Sequence, residues 1–245
     1  MSSGDVGYWP SRWPSEDGGG ERKQLPLSGK GLNLKSGDDA RVVSREVIAA
    51  TMAVLREPGE IYLLRHTAGD DAISWVERID PETLELIERS PDLLGGPTWP
   101  GGLAAHANGS LYVVFGNHAH RLNPDTSVVL SVELPRKRPY NSFVILPDGN
   151  IATKDFAGLR PGQTGKVPGP ANSELLVLAA ESLEIIDRLE LPEPSIARLS
   201  ARPTGGAGAD IYLVGDTSLL RVRWDGAKLK LDNDFVAPYR TFAGQ

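Results

Sequence analysis

Short apolar segments separated by turn signals recur along the chain, and this pattern predicts strands rather than helices. Three tight turns place a glycine two residues ahead of an apolar run, and the pairs are Gly59 and Ile61, Gly109 and Leu111, and Gly149 and Ile151. A fourth copy, before Ile211, replaces the tight turn with a longer glycine-rich loop. Each copy predicts a strand, a turn and a second strand.

The first copy also admits a helical interpretation. Ser44 and Glu46 could open a helix that ends at Pro58-Gly59. The match between this stretch and the other three copies favours a hairpin instead.

Each hairpin is followed by two more apolar segments that flank a second kind of turn. Asp80-Pro81-Glu82-Thr83 and Asn123-Pro124-Asp125-Thr126 are near copies, and Asp225-Gly226 occupies the same place. Proline fixes φ in such turns, and the short polar side chain caps them. The repeating unit is therefore four antiparallel strands.

The spacing of the repeats predicts an all-β fold, a β-propeller built of four-stranded antiparallel blades. Ile61, Leu111, Ile151 and Ile211 are 50, 40 and 60 residues apart. The longest interval contains an insertion at residues 157–173 without a strand pattern. Removing it leaves a period of about 40 to 45 residues, the length of a propeller blade.

These repeats divide the chain into an irregular, flexible segment at residues 1–43 and propeller blades at 44–245. Within the first segment, Trp9-Pro10 and Trp13-Pro14 could anchor it on the domain or on a partner. Four units are present, and residues 237–245 look like the opening of a fifth. We expect either part of a six- or seven-bladed ring or a ring that another chain completes.

Composition narrows the function further. The chain of 245 residues is 40% hydrophobic, carries a formal net charge of −6 and contains no cysteine. This composition predicts no nucleic-acid surface and excludes disulfides and thiolate chemistry. The basic run at residues 136–138 is either a solvated loop or a site for an acidic ligand. With neither a long apolar run nor a signal peptide in view, we expect no membrane span and a cytoplasmic protein.

The segments IDPETLELIERS, GLA and NGSLYVV resemble the YVTN, NHL and SMP-30/gluconolactonase group of β-propellers. The resemblance covers roughly residues 45 to 240 and implies the fold more specifically than the function. Arg138-Pro139-Tyr140-Asn141 is similar to the Arg-x-Asn-Asp-Gly segment at the substrate pocket of gluconolactonase-like proteins. The Asp-Gly of that segment is replaced here by Ser142-Phe143, which removes a carboxylate.

The resemblance implies candidate site residues. Lactonases of the group hold a divalent metal, such as Ca²⁺, with a Glu, an Asn and an Asp, and the metal polarises the lactone carbonyl. Asn141 matches one ligand loosely, and Asp155 and Asp216 are further carboxylates at strand ends. The alternative role for these two aspartates is to cap turns. Arg138 and Asn141 are the candidate substrate-binding pair.

Two other features carry candidate chemistry. His118 and His120 are two residues apart, so on a strand both point to one face and could share a metal; otherwise they are rim residues satisfied by backbone or water. Trp99 lies in the loop that enters the second unit and could either plug the central opening or form the floor of a ligand pocket.

Three classes of function remain. The first is a binding module without a catalytic centre, which takes a small molecule or a protein at the propeller axis. The second is a metal-dependent hydrolase similar to gluconolactonase. The third, a quinone-dependent sugar dehydrogenase, needs a larger closed ring and basic cofactor contacts that the sequence does not reveal. We expect the first.

Overall fold

The structure is a computed structural model that describes residues 7–24, 35–99, 101–157 and 169–239, with the description of Asn141 confined to its backbone. In these ranges the chain forms strands and one short 3-10 helix, Glu16–Gly18. The strands form four antiparallel sheets that follow one another along the chain. None of the helices in these ranges is long and apolar enough to cross a membrane.

Each sheet is built from consecutive strands. The first contains β1 (Ala50–Leu55), β2 (Ile61–His66), β3 (Ala72–Ile79) and β4 (Leu86–Arg89). A further strand, β5 (Leu93–Gly96), pairs with β3 and so also belongs to the first sheet. The strands of the second sheet are β6 (Gly102–Ala105), β7 (Leu111–Phe115), β8 (His118–Leu122) and β9 (Val128–Glu133). Those of the third sheet are β10 (Tyr140–Ile145), β11 (Ile151–Asp155), β12 (Glu174–Leu178) and β13 (Ile185–Glu190). The fourth sheet holds β14 (Leu199–Gly205), β15 (Gly208–Val214), β16 (Ser218–Trp224) and β17 (Leu229–Pro238).

The turns predicted from the repeats are present. Gly59, Gly109 and Gly149 have φ values of 86°, 90° and 87°, which a residue with a Cβ adopts at a cost. The Asp80 carboxylate accepts hydrogen bonds from the backbone N–H groups of Glu82 and Thr83, both at 2.8 Å. The hairpin at 50–66 is therefore confirmed over the helical alternative.

Two details differ from expectation. The repeat predicts four strands in each unit, whereas the first sheet contains a fifth, β5, which pairs with β3. Ala237 and Pro238 pair with Leu219 and Ser218 of β16, so they extend the fourth sheet and do not open a fifth. Residues 240–245, the rest of that predicted fifth unit, lie outside the described residues, as do residues 158–168 of the predicted insertion.

The hydrophobic core lies between successive sheets. Alternating apolar residues on each strand pack against the next sheet, and they form three clusters that centre on Leu64 and Val113, on Tyr112 and Leu176, and on Val177 and Leu213. Each sheet alone would leave one of these faces in water, so the sheets are stable as a stack.

The two ends of the stacked sheets have different connections. The tight turns of the three glycines lie at one end, where the His106 ring binds the carbonyl of Gly149 at 2.8 Å and Trp224 donates to Asp148 at 2.7 Å. We call this the lower end. The connections from β7 to β8, from β11 to β12 and between sheets lie at the opposite, upper end.

Residues 7–24, here called the N-terminal segment, run along the first strands of all four sheets. Leu55 of β1 donates to the Trp13 carbonyl at 2.8 Å, and Trp9 donates to the Ala105 carbonyl of β6 at 2.9 Å. The Tyr8 hydroxyl accepts from Ile145 of β10 at 2.8 Å. Ala201 of β14 donates to Gly20 at 2.9 Å.

This path confirms that the two Trp-Pro pairs anchor the segment on its own domain. The division of the chain at residue 43 remains a prediction.

Candidate functional site

The strand topology places the predicted site residues at the upper end of the sheets. Trp99 precedes β6, Arg138 and Asn141 flank the start of β10, Asp155 ends β11, and Asp216 follows β15. His118 begins β8, and His120 lies two residues further along the same strand. The residues therefore belong to one end but to three different sheets.

Asp155 and Arg138 form a buried ion pair. Asp155 is fully buried, and its carboxylate contacts the Arg138 guanidinium as well as Arg136, at 3.4 Å. It also accepts a hydrogen bond from the backbone N–H of Glu174. Arg138 also donates to the carbonyls of Pro170 and Asn172, at 2.7 and 3.2 Å. A carboxylate used in this way has little capacity left for a cation.

Arg136 extends this ion pair into a cluster. Its guanidinium lies 3.6 Å from the buried Glu174 and 3.4 Å from the more exposed Glu190. On the far side of Glu174, Arg188 donates from Nε at 2.8 Å. Positive and negative charges alternate through the cluster, which joins the upper ends of β11, β12 and β13.

Lys154 is a second buried cation beside this cluster. Its side chain has no exposed surface, and its ammonium group donates to the Ser195 carbonyl at 2.9 Å. Burial lowers the pKa of Lys154 to about 7, against a smaller opposing effect of the Asp155 charge. Lys154 is thus set apart from ordinary lysines by its proton affinity.

His118 and His120 lie side by side, with ring centroids 6.1 Å apart, as their spacing predicts. His120 is almost fully buried, and its Nε2 and Nδ1 atoms are 2.8 Å from the Leu94 carbonyl and the Ser131 hydroxyl. Because the carbonyl only accepts, Nε2 carries the proton and Nδ1 accepts from Ser131. Burial lowers the pKa of His120 to about 4. Both of its nitrogens are therefore engaged within the protein.

His118 faces a cleft between the first and second sheets. This cleft has a volume of about 370 Å³ and is lined by Asp70, Asp71, Asn117, Glu133 and Lys137 beside apolar residues of β5. His118 contacts the Gly95 carbonyl through Nδ1 at 2.9 Å. Three carboxylates against one lysine make the cleft acidic overall.

Trp99 and Asp216 lie apart from the cleft. The Trp99 ring packs against that of Phe156, with centroids 4.7 Å apart, so it covers the residue next to the buried Asp155. Asp216 sits on the fourth sheet, where its backbone N–H donates to Pro194 at 3.0 Å. Phe156, which follows Asp155 in the chain, thus brings Trp99 close to the ion cluster, whereas Asp216 belongs to the fourth sheet.

The described donors do not fit a divalent cation well. Asp155 is paired with arginines, Asp216 belongs to another sheet, and the Asn141 side chain is outside the description. Across the described residues, no group of three or more His, Asp or Glu side chains is arranged to hold a metal ion. The assignments of Asn141, Asp155 and Asp216 as ligands remain predictions.

The residues that sequence reasoning missed are the partners of this cluster. In the run at 136–138, the first and third residues turn inward to carboxylates, and Lys137 points to the cleft. In the run, the two arginines alternate with the lysine, and acidic residues stand at the ends of β11, β12 and β13. These two features together are the signal that could have revealed the ion pairs. The run is thus neither a freely solvated loop nor wholly available to a ligand.

Comparisons with known proteins bear on the fold. Neither a scan against protein-family models nor a search of curated proteins found a match. Among solved structures, the chain is similar to the quinohemoprotein alcohol dehydrogenase ADHIIG from Pseudomonas putida HK5, with a TM-score of 0.58 and 12% identity. That match covers 91% of this chain and 40% of the dehydrogenase. The chain is a β-propeller.

Two further similarities are weaker. A Bacteroides caccae protein of unknown function matches with a TM-score of 0.42 and 14% identity, over 70% of this chain and 57% of its own. A catalytically inactive virginiamycin B lyase from Staphylococcus aureus matches with a TM-score of 0.31 and 14% identity, over 75% of this chain and 83% of its own. The propeller assignment rests on the dehydrogenase and on the four sheets of the chain itself.

Proposed function

We propose that this propeller is a ligand-binding module whose ligand is a small, hydroxyl-rich molecule that carries a positive charge. The observation that carries the proposal is the acidic cleft at the upper end. Asp70, Asp71 and Glu133 offer carboxylates, and Lys137 and His118 offer a cation and an imidazole. Carboxylates bind ammonium and hydroxyl groups, and a cleft of this size accepts a small molecule.

The proposed ligand can be tested with amines and sugars of matched size. We expect glucosamine to bind more tightly than glucose in calorimetric titrations, because only the amine pairs with the carboxylates. Asp70→Asn combined with Asp71→Asn should remove that difference while leaving the fold intact, since both residues are exposed. Equal binding of the two sugars to the unaltered protein would count against the proposal, as would a difference that survives both substitutions.

A gluconolactonase-like hydrolase of the YVTN, NHL and SMP-30 group is the second candidate. What favours it is that Arg138, Asp155 and Trp99 lie at the same end of the propeller, as the resemblance implies. In this proposal Asn141 and Asp216 would join Asp155 around a divalent cation, and Arg138 would bind substrate. Hydrolysis of δ-lactones in the presence of Ca²⁺, Mn²⁺ or Zn²⁺, lost on chelation, is the expected result. Rates that stay at the level of the buffer when Ca²⁺, Mn²⁺ or Zn²⁺ is added would rule this candidate out.

We also propose that the chain belongs to a ring of six or seven blades, that it is located in the cytoplasm, and that it divides into residues 1–43 and 44–245. A partner would bind at the propeller axis. The position of the N-terminal segment along all four first strands bears on the last of these, because any axial ligand would share that region with residues 7–24.

A further inference from the structure

A second cavity lies at the lower end of the propeller, on the opposite side from the acidic cleft. Its volume is about 590 Å³, within the range that small-molecule sites occupy. One wall comes from residues 9–12 of the N-terminal segment, and the other comes from the turn between β1 and β2, residues 55–61. Pro81 closes the cavity from the next turn of the first sheet.

Both walls are held in place by hydrogen bonds. On the segment side, Trp9 donates to Ala105, and Trp13 accepts from Leu55. On the hairpin side, Glu60 donates to the Glu57 carbonyl at 2.9 Å, and its carboxylate accepts from Arg56 at 2.9 Å. The Arg56 guanidinium also lies over the Trp9 ring, 4.1 Å from the ring centroid, and so joins the two walls. The cavity is therefore formed before any ligand arrives.

The lining is mostly flat and apolar. Trp9, Pro10, Pro58 and Pro81 supply aromatic and proline surfaces of the kind on which planar rings pack, and Ile61 adds an aliphatic side chain. Such a floor favours an aromatic group.

Two charged groups at this cavity are exposed and stand on opposite walls. Arg12 belongs to the N-terminal segment and Glu57 to the hairpin. Within the described part of the chain, no ion pair involves either side chain, whereas the neighbouring Arg56 and Glu60 neutralise each other. A ligand here meets one available positive charge and one available negative charge over an aromatic floor.

We propose that this cavity binds an aromatic zwitterion of the amino-acid type. The ring packs among Trp9 and the prolines, the carboxylate pairs with Arg12, and the ammonium group pairs with Glu57. This site is independent of the acidic cleft, since the two share no lining residue. Because one wall is the N-terminal segment, ligand binding also holds that segment against the first sheet.

The test uses the full chain and three indole ligands that differ only in their charged groups. L-Tryptophan carries both groups, tryptamine lacks the carboxylate, and indole-3-propionate lacks the ammonium. Titration calorimetry should rank tryptophan above both analogues. Amide chemical-shift changes on adding tryptophan should centre on residues 9–12 and 55–61.

Two charge variants test which side chain pairs with which charged group of the ligand. Arg12→Gln should weaken tryptophan and indole-3-propionate by about fivefold, the effect of one exposed ion pair, and leave tryptamine unchanged. Glu57→Gln should weaken tryptophan and tryptamine similarly and leave indole-3-propionate unchanged. Arg202→Gln, on the fourth sheet and exposed, is the matched control and should change none of the three.

Several results would overturn the proposal. One is no detectable binding of tryptophan to the unaltered protein. Another is a loss of affinity that is equal for all three ligands in either variant. That result would show that Arg12 and Glu57 do not bind the charged groups of the ligand. Shift changes confined to the acidic cleft would place the ligand elsewhere. None of these outcomes depends on glucosamine binding, so this proposal and the proposed function fail separately.

Discussion

This propeller carries a buried cluster of arginines and carboxylates at its upper end and an exposed arginine and glutamate at its lower end. At the upper end of the third sheet, Asp155 is fully buried and held by Arg136 and Arg138. At the lower end of the first sheet, Arg12 and Glu57 are exposed and stand apart. A buried charge needs its partner to offset desolvation, whereas an exposed charge is hydrated and can exchange water for a ligand. Burial therefore separates the charged groups that stabilise the fold from those that can bind a ligand.

The largest expected effect is at Asp155. Asp155→Asn keeps the shape of the side chain but leaves the buried Arg138 guanidinium without its counter-charge and removes one of the carboxylates around Arg136. We expect a loss of about 3–5 kcal/mol in the free energy of unfolding, measured with urea. Asp216→Asn, at a half-buried turn position, is the control and should change it by less than about 0.5 kcal/mol. Similar losses for both would mean that the ion cluster is not special.

Lys154 gives the next largest effect, and it depends on pH. The pKa of Lys154 is lowered to about 7 in the folded protein from 10.5, so between these values the unfolded chain binds the extra proton. The stability of the natural protein should therefore rise as pH increases from 7 to 10, at up to about 1.4 kcal/mol per pH unit. Lys154→Met removes this rise, so its stability relative to the natural protein should be most favourable at or below pH 7. Parallel curves for the two proteins from pH 7 to 10 would contradict the assignment.

His120 should act in the same direction at lower pH. Its folded pKa is about 4, against an ordinary value of 6.5, so the unfolded chain binds the extra proton between these values. Stability should fall as pH decreases from 6.5 to 4, and His120→Gln should reduce the slope of that fall. Ser131→Ala is the matched control, because it removes the hydroxyl at Nδ1 but keeps the imidazole. A slope unchanged by His120→Gln would show that other groups control the acid limb.

Much of the fold follows from sequence because its signals are local. The glycines at 59, 109 and 149 require left-handed backbone in tight turns, and Asp80 caps its own turn, so each can be recognised from a few neighbouring residues. Burial between sheets then follows from the alternation along each strand. The propeller could therefore be predicted without long-range information.

The site residues are less predictable because their partners are distant in sequence. Arg138 and Asp155 resemble a substrate-binding residue and a metal ligand when each is considered alone. Their pairing appears only after β10 and β11 align their upper ends, at Tyr140 and Asp155. The course of the N-terminal segment is equally hidden, since its bonds to β1, β6 and β14 are mostly made by backbone atoms and leave no pattern in the side chains.

The smallest effect on stability is expected for Arg12, and Arg22 of the same N-terminal segment provides its buried counterpart. Arg22 is mostly buried and donates to the Leu199 carbonyl at 2.6 Å and to Glu16 at 2.7 Å, so Arg22→Gln should cost about 1.5–3 kcal/mol. Arg12 is exposed, and Arg12→Gln should change the free energy of unfolding by less than about 0.5 kcal/mol. Urea unfolding of both variants gives the two values under the same conditions. If Arg12→Gln destabilises the protein as much as Arg22→Gln does, exposure does not separate binding groups from structural ones in this propeller.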